Sequence, residues 1–117
     1  MKRIVLVSVL VGLGAAPAFA EKWTVIEGPK GETQSVWDVS RQGETYAGKG
    51  VSQTRGAAAA TYDVTVAISG GKVTASRMRS SDQRSCNYIG EVKNATEIAG
   101  TAICGGVSGV WRVTRKD

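Results

Sequence analysis

Beyond residue 20, apolar and polar positions alternate with a period of two, in runs broken about every 8 to 12 residues by clusters of Gly, Asn and Ser. No stretch there keeps the 3.6-residue apolar spacing of an amphipathic helix. The alternation predicts strands over 22–27, 34–41, 44–51, 60–69, 72–79, 85–93, 96–104 and 109–115. Eight strands joined in sequence predict an all-β antiparallel meander. A chain this short most simply removes its exposed edges by closing into a lipocalin-like or avidin-like barrel, with a two-sheet β-sandwich as the alternative.

Turn chemistry sets the expected registers. A two-residue turn at Gln42-Gly43 sets Trp37 against Gly48 and Val39 against Tyr46, a large ring lying over a glycine. A Gly70-Gly71 turn sets Ile68 against Val73 and Val66 against Ala75, which gathers apolar residues on one face. A turn at Asn94 to Thr96 pairs Val92 with Ile98, Gly90 with Gly100, Tyr88 with Ala102 and Cys86 with Cys104. The only two cysteines of the chain then lie opposite each other, within the reach of a disulfide.

The motifs Trp23-Thr24-Val25, Trp37-Asp38-Val39, Tyr62-Asp63-Val64 and Trp111-Arg112-Val113 each place an aromatic ring and a valine on one face. These read as layers of a packed interior. The opposite face of the sixth strand carries Asn87, Ile89, Glu91 and Lys93, a polar set unlike the outside of a membrane barrel.

The first twenty residues change the compartment. Lys2 and Arg3, an apolar run from Ile4 to Ala16, and an Ala18-Phe19-Ala20 ending form a secretory signal cleaved after Ala20. The run is shorter than the roughly 20 apolar residues of a membrane helix, and no cysteine follows it to carry a lipid anchor. A periplasmic or secreted product is expected, folded as one domain over 21–117 and monomeric. Such a compartment favours one disulfide over two free thiols. Without Lys2 and Arg3 the fifteen basic residues become thirteen, against ten acidic ones, a mild excess that argues solubility more than a nucleic-acid partner.

Candidate chemistry is mostly removed by what the chain lacks. It has no histidine, the commonest general base and the most frequent zinc ligand. With both cysteines in a bridge, a metal site would need carboxylates alone, and Asp38, Asp63 and Asp82 fall on separate elements. No catalytic residue, cofactor or metal is assigned. The run CGGVSG, which ends at Gly109, lacks the lysine and the strand-to-helix context of a phosphate loop.

Connectivity then distinguishes the two ends of the meander. Its second, fourth and sixth turns are tight and share one rim. The first, third, fifth and seventh connections share the other and read as longer, at 28–32, 52–59, 80–85 and 105–109. Function on scaffolded β domains concentrates on longer loops, so this rim, with Lys30, Arg55, Asp82 and Arg84, is the expected partner-binding surface.

Arg77-Met78-Arg79 breaks the alternation. Two readings are open. A bulge can turn Met78 inward and both arginines outward. Alternatively, Arg77 and Arg79 point inward near the long-loop mouth, with Arg79 stacked on Tyr62 and Glu27 neutralising Arg77, an arrangement able to receive an anion.

In layout this architecture resembles small exported bacterial barrels with one disulfide, namely metalloprotease inhibitors and lysozyme inhibitors. The resemblance is to layout only and carries over no functional residues. The function expected from the basic rim is a non-enzymatic exported binding module, an inhibitor or envelope accessory protein, that engages an acidic protein partner. A carrier of a small anionic ligand in the barrel mouth and a structural envelope protein are the alternatives.

Overall fold

The computed structural model describes residues 20–116. The secretory signal read over residues 1–20 lies outside them, except for Ala20, which begins the first strand. Eight antiparallel strands close into a barrel in sequence order: β1 (Ala20–Gly28), β2 (Thr33–Gln42), β3 (Thr45–Thr54), β4 (Ala60–Ser69), β5 (Lys72–Met78), β6 (Cys86–Val92), β7 (Glu97–Cys104) and β8 (Val107–Lys116). Closure comes from β1 pairing with β8, Val25 opposite Val113. The sandwich alternative is thereby excluded. No helix of the described residues is long and apolar enough to cross a membrane.

The expected register holds on two hairpins. Ile68 faces Val73 and Val66 faces Ala75 across the Gly70-Gly71 turn. Cys86 faces Cys104 on β6 and β7, and the two form a disulfide with an S–S distance of 2.09 Å. The β2–β3 hairpin is shifted by two residues from expectation. Its turn is Gly43-Glu44, so Trp37 faces Gly50 rather than Gly48, and Arg41 rather than Val39 faces Tyr46. Gly43 has φ 67° and Glu44 does not share it, so the single glycine occupies the first turn position, where a left-handed residue is needed. A shift of two keeps every side chain on its expected face. The ring over a glycine survives: a Cβ on Gly50 would collide with Tyr62 and Trp37.

The core is aromatic. Trp23, Trp37 and Trp111 are fully enclosed, and Tyr46, Tyr62 and Tyr88 are buried with them. Trp37 meets Tyr88 edge-on at 5.2 Å and Trp111 at 6.1 Å, Tyr88 meets Trp111 at 5.0 Å, and Trp23 meets Tyr46 at 5.0 Å. Trp37 Nε1 donates to Tyr62 Oη at 3.0 Å. Rings of this size fill an eight-stranded interior. At the tight-turn end Arg115 lies over Trp23 and Tyr46, donates to Tyr46 Oη and pairs with Glu21.

The two ends differ as expected in one respect and not in another. Connections 29–32, 55–59 and 79–85 make one rim long. The seventh connection, on the same rim, is tight rather than long: Cys104 faces Val107 across Gly105-Gly106. Both glycines are left-handed, with φ 58° and 82°, as a two-residue hairpin turn of this kind requires.

Candidate functional site

Three elements build the mouth beneath the long loops. On β5, Arg77 shares the inward parity of Val73 and Ala75 and lies between Val64 on β4 and Cys86 on β6. Its side chain is only 5% exposed, which excludes the bulge with outward arginines. The guanidinium stacks on the Tyr62 ring at 4.0 Å. Arg77 thus makes the contact anticipated for Arg79. β5 ends at Met78, and Arg79 turns out of the sheet with φ 52° to pair with Asp63 at 2.9 Å, beside Lys49.

That left-handed step folds the 79–85 loop back over β4. Ser81 N donates to Thr61 O at 2.8 Å, and Thr61 N donates to Ser81 Oγ at 3.0 Å. The loop carries Asp82 onto Arg77, whose Nη2 donates to Asp82 Oδ2 at 2.8 Å and to Ser80 Oγ at 2.9 Å. Asp82 Oδ1 accepts from Ser80 Oγ and from the Arg84 backbone N–H. Burial pushes the Asp82 carboxyl upward, but the Ser80 and Arg84 hydrogen bonds and the Arg77 charge outweigh it, leaving the carboxyl below its ordinary range.

Glu27, at the end of β1, is 3% exposed and does not hold Arg77 in an ion pair. Its Oε1 accepts from Tyr88 Oη and its Oε2 from Ser35 Oγ, both at 2.9 Å. A buried carboxylate is tolerable when both oxygens are satisfied, and these donors come from β2 and from β6 across the barrel. Burial first, then the neighbouring Glu27 charge, raises the Tyr88 phenol far above its ordinary value. Tyr62 is also raised, chiefly by burial.

One Glu27 oxygen and the sulfurs of Cys86 and Cys104 lie within 4.8 Å of one another. Metal ligation by this set would need thiolates, and the closed disulfide supplies none.

Glu27, Arg77, Asp82 and Arg84 line a pocket of about 230 Å³ at the mouth, together with the hydroxyl-bearing Thr33, Ser52 and Thr54. Lys30 and Arg55 stand outside its lining, exposed on the neighbouring loops. Among the described residues, Lys30, Arg55 and Arg84 make no ion pair. Of the acids beside them, Asp82 is paired with Arg77, while Glu32 accepts from the Lys30 backbone N–H at 2.9 Å and keeps its charge. Sequence reasoning missed the Tyr88 and Ser35 bonds to Glu27. Both residues had inward parity, but which inward residues meet across a barrel depends on its shear.

No family model, curated protein or solved structure matches the chain.

Proposed function

We propose that this chain is an exported, non-enzymatic binding module whose long-loop rim engages an acidic protein partner. The observation that carries the reading is the charge imbalance of that rim. Lys30, Arg55 and Arg84 are exposed and make no ion pair, while Asp82 is already paired with Arg77, which leaves Glu32 as the one acid to oppose three cations. Unpaired cations on one face steer and hold an acidic surface, and they cost nothing in desolvation until it arrives.

The interior supports the same reading. Six buried rings leave the barrel body filled, which weighs against a ligand carried inside it. The absence of histidine and the engagement of both Glu27 oxygens by Ser35 and Tyr88 likewise favour binding over catalysis. The test is capture from periplasmic and host extracts by residues 21–117, beside an Arg55→Glu, Arg84→Glu variant. Acidic proteins retained by the natural chain and lost by the variant are expected. Equal capture by both forms would overturn the proposal.

A further inference from the structure

Arg77 is 95% buried at the base of the mouth pocket, and its hydrogen bonding is incomplete. Nη2 is taken by Asp82 and Ser80, while the adjacent Nε–H is buried and has no hydrogen-bond partner. A buried unpaired donor on a charged group is rare and costly, and it marks a place where an acceptor belongs. The acid that reaches Arg77 supplies one oxygen to Nη2 and none to Nε. Asp82 is itself a surface residue, with a side chain 36% exposed. It sits on a loop that holds two non-glycine residues in the left-handed region, Arg79 and Gln83.

We propose that Arg77 is the receptor for an external carboxylate, for which Asp82 is the placeholder. The incoming group displaces Asp82 from Nη2 and bonds to Nη2 and Nε together, the two-point geometry that makes arginine–carboxylate pairs strong. One carboxylate replaces another, so the charge of the pocket is unchanged. Room exists: about 230 Å³ is several times the roughly 30 Å³ that one water occupies in the liquid. Glu27, whose oxygens accept from Tyr88 and Ser35, does not reach Nε in this structure. The displaced loop carries Arg84, which is free to follow the ligand. The inference deepens the rim reading and rests on it: the acidic partner places one carboxylate side chain in the mouth while Lys30 and Arg55 hold its neighbours.

The test titrates two probes, glutarate for a free small carboxylate and hexaglutamate for an acidic chain, while NMR follows the Arg77 Nε–H resonance. Both probes are expected to shift that resonance. Asp82→Asn is expected to tighten glutarate about tenfold by removing the competitor, and Arg77→Lys, which keeps the charge without the fork, to weaken it about tenfold. A resonance unmoved by saturating glutarate in both the natural chain and Asp82→Asn overturns the proposal, as does an unchanged affinity in Asp82→Asn. Hexaglutamate is expected to bind more tightly than glutarate, and a Lys30→Glu, Arg55→Glu variant to remove that advantage. Rim-dependent hexaglutamate binding with a silent Arg77 would refute the carboxylate site and leave the rim reading standing. A responsive Arg77 with no advantage for hexaglutamate would refute the rim reading and leave a site for small free carboxylates.

Discussion

Replacing both cysteines, Cys86→Ala with Cys104→Ala, should cost a large share of the stability and should loosen one end of the barrel before the other. The bridge closes a segment of 18 residues in sequence. In the chain-entropy description, a closure of that length stabilises by about 3 kcal/mol, through restriction of the unfolded chain. For a domain of this size that corresponds to a fall in Tm of roughly 12 to 24 °C. The spatial pattern follows from where the bond sits. Cys86 begins β6 immediately after the 79–85 loop, and Cys104 ends β7 immediately before Gly105-Gly106. The other end of that hairpin is held independently by Asn94, whose side chain accepts from Thr96 N and donates to Glu97. Hydrogen exchange of the alanine pair should therefore rise first at 79–85 and 105–107, with amides near 93–97 lagging. Chemical denaturation supplies the magnitude. A loss below about 1 kcal/mol, or exchange rising first around the Asn94 turn, would refute the assignment of the bridge as the clamp of the long-loop rim.

Tyr88→Phe should destabilise by about 2 kcal/mol in urea denaturation, because buried Glu27 then keeps Ser35 as its sole donor; a change within 0.5 kcal/mol would contradict that role. In alkali, Tyr62 and Tyr88 have folded values raised above the ordinary 10, so the stability they contribute is complete below that pH and falls as pH rises above it. Phenolate absorbance of these two should accordingly appear only with unfolding; their ionisation in a folded protein would contradict the burial argument. Gly50→Ala should cost about 1 to 3 kcal/mol by overpacking, since the added methyl strikes the Trp37 and Tyr62 rings; an unchanged denaturation midpoint would show that those rings yield.

How far the sequence led depends on which physical signal each feature carried. Except at Arg77-Met78-Arg79, side-chain parity was legible, and with it the aromatic core and the inward Glu27, because a period of two survives any even error in register. The β4–β5 and β6–β7 hairpins were legible through Gly70-Gly71 and the Asn94 turn. The β2–β3 shift arose from seating Gly43 second in its turn, behind a glutamine that takes the left-handed region less readily than Asn or Asp, whereas a turn with glycine first needs only one left-handed residue. Gly105-Gly106 carried the same hairpin signal as Gly70-Gly71, and reading it as part of a long loop overlooked that. The fate of Arg79 was not legible, because its left-handed φ goes with the contact of the loop to Thr61, about twenty residues away in sequence. The partner of Arg77 followed from the same fold-back, which brings Asp82 rather than Glu27 to the guanidinium.

The rim is tested most directly by the salt dependence of binding to poly-L-glutamate, measured for residues 21–117 and for a Lys30→Glu, Arg55→Glu, Arg84→Glu variant. Binding by the natural chain that weakens steeply as ionic strength rises, and is lost in the variant, is the predicted result. Affinity that is independent of salt, or equal in the two proteins, would contradict a function seated on the long-loop rim.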